Sequence, residues 1–373
     1  SNAMNGTRSA WGARAWEAVR GFADRPPGMQ DGYPDFAKRR RAVETRLLSF
    51  VEDAGYEPVT SGLFEYVDTL LRARSPESSR DWIRLFDGGG DAVALRPEMT
   101  PSIARMAAPR VAAGRTPIRW CYCERVYRRT DDPASLSWAS GKAAESTQVG
   151  IERIGEEASV DVDMDVLRLL HEASAAAGVR HHRIVVSHAR LVPRLLDALG
   201  ISASLSRAFL ACLTSGNYVQ FRELWQLHAA KDVDLLANLL TWSPAERDAA
   251  KRSREASDRE LEALLRDAVD PRAAADVRDA WRYLCRLAEA LHDSGLASDV
   301  VTFDLALHRE LDYYTGLVFE MFAPGVGAPI AQGGRYDELL AQFGAGAPAV
   351  GFAFEVERVM AVLEAQEEGE GEC

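Results

Sequence analysis

Cysteine is scarce in this chain, positive charge is in deficit, and long apolar runs are missing. The five cysteines (Cys121, Cys123, Cys212, Cys285 and Cys373) are scattered and odd in number, which argues against a disulfide scaffold and fits a reducing cytoplasm. Cys121 and Cys123 would share one face of a strand, yet no second Cys/His pair at ligand spacing completes a zinc site. They read as buried thiols, and no metal is expected. Against 44 Lys+Arg stand 56 Asp+Glu, a formal net charge of -12. Bulk nucleic-acid binding draws most of its affinity from basic residues, so this balance weighs against it. No apolar run reaches the ~20 residues of a membrane span, and the start lacks the apolar core of a signal peptide.

What is present describes an ordinary globular protein, with 47% hydrophobic and 27% charged residues in 373, enough for two or three domains. Ser1-Asn2-Ala3 ahead of Met4 reads as an expression scar. The richest stretch is Leu307 to Glu320, where Arg309, Asp312, Tyr313 and Tyr314 stand close together, followed by Gln332 to Asp337. Its alternating apolar residues suggest a strand that either presents polar side chains to a pocket or is simply half-exposed, with paired aromatics.

In chain order, a helix is expected from Tyr33-Pro34-Asp35, with Phe36, Val43, Leu47, Phe50 and Val51 on one face, Lys38 to Arg41 solvated, and Gly55 as its stop. Arg84 to Phe86 and Ala92 to Leu95 read as a hairpin around three glycines that lack the Lys-Ser/Thr ending of a phosphate loop. Arg96 to Pro101 then forms a strand-to-helix corner. There Glu98 and Thr100 either face a ligand or, with Pro101, make a plain N-cap. Two strands follow, Ile118 to Arg129 and Thr147 to Gly155, the second with Gln148, Gly150 and Glu152 on one face. Asp161, Asp163 and Asp165 read as a charged first helical turn rather than metal ligands. After a strand at Arg183 to His188, short helices run to Gly295, with Ser243 to Glu246 as a capping box, Trp225, Trp242 and Trp281 as core anchors, and His181 and His182 solvated or capping. Glu364 to Cys373 read as a disordered acidic tail.

Taken together, these segments resemble the class II aminoacyl-tRNA synthetase core, in the histidyl-tRNA synthetase lineage, from about Gly28 to Leu363. Tyr127-Arg128 with the Gln148 to Glu152 strand is similar to motif 2, and Gly351 to Arg358 to motif 3. Arg309 to Tyr314 with Gly333 to Asp337 is similar to the signatures of the histidine branch. The resemblance implies an α+β fold: a class II aminoacyl-tRNA synthetase-like antiparallel sheet flanked by helices, with a helical insertion and no anticodon-binding domain. The expected organisation is a lead at 1–30, two parts of one core at 31–180 and 298–363, a mainly helical insertion at 181–297 and a tail at 364–373. It further implies that Glu98, Thr100, Gln148, Glu152, Arg309, Tyr313, Tyr314 and Tyr336 hold histidine, while Arg128 and Arg358 sit where the synthetases grip ATP phosphates.

Departures from the synthetase pattern weigh against catalysis. Thr130 stands where a glutamate is usual, Ala144 and Ser146 replace motif 2 loop residues, and Glu310 replaces a glycine. Ser146 to Glu152, Leu95 to Thr100 and Tyr313 to Gly316 are more similar to the paralogous branch that regulates ATP phosphoribosyltransferase. That likeness implies a noncatalytic, cytoplasmic regulatory subunit in histidine biosynthesis, homodimeric through its core. Its partner would be the short-form catalytic subunit, with histidine as ligand and no required cofactor, catalytic residue, tRNA or membrane. The alternative is an enzyme that forms histidyl-adenylate and passes it to a non-tRNA acceptor.

Overall fold

The computed structural model describes residues 15–371, apart from 16, 131–142, 230–232, 241–246, 297–298 and 310–312. The expected capping box at Ser243 to Glu246, Trp242, Glu310 and Cys373 lie outside the described residues. The chain enters through α1 (Pro34–Asp53), which buries Val43, Leu47 and Val51. Each such side chain contributes about 1.5–3 kcal/mol by leaving water. Gly55 takes φ +98°, the left-handed conformation that ends the helix at low steric cost. One member of the basic run is not solvated as expected: Arg40 lies 3.4 Å from Glu44 and 4.0 Å from Glu357.

Next come β1 (Glu57–Pro58), β2 (Phe64–Tyr66), α2 (Val67–Ala73), β3 (Arg84–Phe86), β4 (Ala92–Leu95) and α3 (Thr100–Ala112). The long strands β5 (Ile118–Tyr127) and β6 (Glu145–Ile154) are followed by α4 (Val160–Ala176) and β7 (Arg183–His188). Six helices follow: α5 (Leu191–Ala198), α6 (Ala203–Ser215), α7 (Tyr218–His228), α8 (Val233–Leu240), α9 (Arg247–Leu265) and α10 (Pro271–Asp293). The chain closes with β8 (Val301–Phe303), β9 (Leu317–Phe322), β10 (Ala331–Arg335), β11 (Ala349–Glu355) and α11 (Val356–Gly371).

Eight strands form one sheet in the order β1-β5-β6-β11-β10-β9-β7-β8, and β2-β4-β3 form a small second sheet that contains the expected hairpin. The large sheet is mixed rather than antiparallel throughout, because both edge strands, β1 on β5 and β8 on β7, pair in parallel. β7 also pairs with β9, so it belongs to the core sheet, and the helical segment starts only after it. Because side chains alternate, the sheet has two unlike faces. One carries Cys121, Val149, Ile151, Phe319, Met321, Phe352 and Phe354 into the main core with α1, α4 and α11. The other carries Tyr122, Gln148, Gly150, Glu152, Gln332, Gly351 and Glu355.

Four local expectations are corrected. Among the described residues of Leu307 to Gly316 there is no strand; β9 begins at Leu317, and the paired tyrosines lie just before it. Asp163 is not a solvated first-turn charge: it is fully buried, accepting from Arg335 Nε and Nη2 at 2.9 and 2.7 Å and from the Tyr283 hydroxyl at 2.5 Å. Burial pushes its carboxyl up while Arg335 pulls it down, as in any ion pair taken out of water. His182 is not solvated either, since its Nε2 lies 2.8 Å from His171 Nδ1, and burial with neighbouring positive charge lowers it to about 4. The acidic tail is helical to Gly371, with Gln366 bonded at 2.9 Å both to Arg180 N–H and to Gly178 C=O.

The helical segment has its own aromatic centre, Phe209, Phe221 and Trp225, with ring centroids 5.3–6.4 Å apart. Trp281 is also buried, and Asp270 caps α10 by accepting from Arg272 and Ala273 N–H.

Candidate functional site

The polar face of the sheet is the floor of a cleft of about 410 Å³. Its depth comes from missing side chains. A Cβ on Gly150 would fall 2.4 Å from the Tyr122 hydroxyl, and one on Gly351 would fall 2.1 Å from Glu152 Oε2. Only glycine leaves room there for both the neighbouring strand and the buried polar groups.

One wall starts at Arg96, which is buried and spends its guanidinium on the carbonyls of Arg125, Ser61 and Gly62 and on Glu124. That clamp fixes the corner from which Glu98 and Thr100 project. Thr100 is the first residue of α3 but makes no cap; its hydroxyl donates to Glu152 Oε1 at 2.9 Å. The N-cap expectation is thereby overturned, and the side chain lines the cleft instead. Glu98 accepts from the Tyr313 hydroxyl at 2.9 Å and lies 3.4 Å from Arg74 Nη1.

Glu152 is almost fully buried, 2% exposed, with Tyr336 donating to its Oε2. Burial pushes its carboxyl from 4.5 up to about 8, against the pull of the Tyr336 and Thr100 hydrogen bonds, and Glu98 adds to the rise. The group can therefore take up or release a proton near neutrality. Tyr313 stands edge-on to Tyr336 at 5.9 Å and tilts on Tyr314 at 4.9 Å, so Glu152 and Glu98 are set among aromatic rings.

Toward the other end, the Arg309 guanidinium carbon lies 5.5 Å from the centre of the Tyr314 ring, and its buried Nη1 has no hydrogen-bond partner among the described residues. A buried unpaired guanidinium nitrogen beside an open cleft is a place for an anion. Glu320 is raised by burial and pulled down by Arg309 and Arg358. Arg358, in the first turn of α11, donates to Pro329 C=O at 2.6 Å. Arg128 is exposed at the rim. All ten expected residues, Glu98, Thr100, Arg128, Gln148, Glu152, Arg309, Tyr313, Tyr314, Tyr336 and Arg358, line this single cleft.

A family model described as histidyl-tRNA synthetase matches residues 28–359. An ATP phosphoribosyltransferase regulatory subunit from a Geobacillus species is 33% identical over 356 residues, covering 94% of this chain and 84% of that protein. One from Caldanaerobacter subterraneus is 31% identical over 350 residues, covering 92% and 84%. The chain belongs to the histidyl-tRNA synthetase family, in its branch of ATP phosphoribosyltransferase regulatory subunits. A crystal structure described as a histidine--tRNA ligase subunit from Alicyclobacillus acidocaldarius is 96% identical, with TM-score 0.86, covering 94% of this chain and 99% of that one. One described as an ATP phosphoribosyltransferase regulatory subunit/histidyl-tRNA synthetase from Bacillus halodurans is 28% identical, with TM-score 0.76, covering 92% and 83%.

For this member of the family the cleft also holds residues that sequence patterns did not single out. Arg74 closes on Glu98, the buried Tyr122 sets its hydroxyl over Gly150 on the cleft face, and Glu355 collects two glutamines, Gln148 and Gln332. Register carried a signal for Glu355, which pairs directly with Gln148 across β11 and β6. Arg74 offered none, standing just beyond α2 in a segment with no motif of its own. Thr214, near the end of α6, brings the helical segment to the rim.

Proposed function

We propose that this chain is the noncatalytic regulatory subunit of a cytoplasmic ATP phosphoribosyltransferase, that it assembles with the short-form catalytic subunit as a homodimer, and that the cleft senses histidine. The observation that carries the reading is the Arg309 Nη1, without a partner among the described residues, at one end of a cleft whose other end is carboxylate and phenol. A histidine zwitterion matches that polarity. Its carboxylate answers the guanidinium, its ammonium needs acceptors such as Glu98, and its imidazole fits the ring-lined recess at Glu152. A carboxyl held near 8 can donate to an unprotonated ring nitrogen or, once ionised, accept from a ring N–H.

Regulation then follows by linkage. Histidine shifts catalytic activity only to the extent that it binds one state of the assembly more tightly than another. The test is a complex reconstituted with a short-form catalytic subunit, assayed for histidine inhibition. Glu98→Ala and Glu152→Ala should weaken inhibition while assembly persists. Unchanged inhibition in either variant would remove the cleft as the sensor.

A second reading is favoured by Arg128, Arg309 and Arg358 lining one cleft: an enzyme that joins histidine to AMP and hands it to a non-tRNA acceptor. Histidine-dependent exchange of pyrophosphate into ATP distinguishes the two, and robust exchange would replace the first reading.

A further inference from the structure

Glu355 ends β11 on the cleft side of the sheet, only 6% exposed. Gln148 Nε2 donates to its Oε1 at 3.0 Å, and Gln332 Nε2 donates to the same oxygen at 2.7 Å. Both NH2 groups point to one carboxylate oxygen, so either amide turned the other way would set oxygen against oxygen. Both amides are thereby held in one sense, with the NH2 ends on Glu355 and the carbonyl oxygens turned away from it. Neither side-chain oxygen receives a hydrogen bond from another described residue, and both glutamines line the cleft. In register, Ala353 follows Gln332 and faces Gly150, over which the Tyr122 hydroxyl stands, so only a methyl and a phenol edge cover the floor beside the two amides.

We propose that Glu355 is a positioning residue that fixes Gln148 and Gln332 as a pair of acceptors for the ammonium of the ligand, making this end of the cleft selective for an α-amino acid over its desamino analogue. The proposal rests on the reading of the cleft as a histidine site. A cation ringed by two amide oxygens and Glu98 is held by acceptors alone, whereas a ligand without the ammonium leaves those acceptors dry and unpaired. Loss of a charged hydrogen-bonding partner in a buried site is costly, and selectivity arises from that difference.

The test is calorimetric titration with L-histidine and with imidazole-4-propionate, which keeps ring and carboxylate but lacks the ammonium. Glu355→Gln frees the amides to turn, and it should weaken histidine binding about 10-fold while changing imidazole-4-propionate binding less than about 2-fold. In a Gln148→Ala/Gln332→Ala background the same substitution should have no further effect on the ratio of the two affinities. Gln332→Leu, at the half-exposed side, should give a smaller loss confined to histidine if Glu355→Gln folds poorly. Equal losses for both ligands, an unchanged ratio in Glu355→Gln, or a full effect persisting without the glutamines would overturn the proposal alone. Failure of the unaltered protein to bind histidine at all would overturn it together with the histidine reading.

Discussion

Glu152→Gln should make the empty protein more stable at neutral and alkaline pH, and this effect should fade in mild acid. Glu152 is 2% exposed and its carboxyl is raised from 4.5 to about 8 by burial. A carboxyl raised on folding contributes stability that is fully present below its unfolded value and is lost as pH climbs through the folded one. Between pH 5 and 7 the unfolded chain sheds this proton while the folded chain mostly keeps it. At 1.36 kcal/mol per pKa unit, that interval costs about 2 kcal/mol. Glutamine has no proton to lose and retains an oxygen for one of the two hydroxyl donors, so its pH term vanishes at the expense of one altered hydrogen bond. Urea denaturation of both proteins at pH 5, 6, 7 and 8 without histidine measures the difference. Two curves that stay parallel across this range would show that Glu152 is not a buried neutral acid, and the account of the recess would fall with it.

Gly351→Ala would drive a methyl to 2.1 Å from Glu152 Oε2, and overpacking of this kind costs about 1–3 kcal/mol, so histidine affinity should drop at least about 10-fold in titration calorimetry. Arg309→Met should weaken histidine binding about 10–100-fold but leave histidinol, which lacks the carboxylate, nearly unchanged in the same assay. Asp163→Asn leaves the buried Arg335 with Asp337 as its one charged partner among the described residues and should destabilise the fold by about 3–5 kcal/mol in chemical denaturation. Gln366→Ala removes both hydrogen bonds from α11 to the Gly178–Arg180 turn and should cost about 1 kcal/mol or less, because these groups are exposed.

Period and register made much of this legible in advance. Strands β5 and β6 alternate cleanly, so Gln148 and Glu152 could be assigned to one face before any coordinates, and α1 showed its stripe of Val43, Leu47 and Val51. The Leu307 to Gly316 stretch misled because its apolar residues alternate while its polar residues serve the cleft; Thr315 N–H bonds to Arg335 C=O in a loop contact, with no ladder. Buried ion pairs were illegible for a different reason. Asp163 and Arg335 are 172 positions apart, and a charged residue in a first helical turn looks the same whether water or a guanidinium lies opposite. The parallel edges were equally hidden, since each depends on which strand lies next in space. The tail was misjudged on composition: its acidic run is offset by Gln366 and by Arg180, which pairs with Glu370.

Arg335 and Tyr336 are neighbours in sequence that serve opposite sides of the sheet, one holding Asp163 and the other Glu152. A strand repeats every two residues, so slipping this segment by one position would exchange the two, setting a phenol against Asp163 and a guanidinium into the ring-lined recess. Through Tyr283 of α10, Asp163 also ties the helical segment to the core. A single inserted or deleted residue between Gln332 and Arg335 would thus strike the recess and the seating of α10 together, and neither could be repaired by restoring the other.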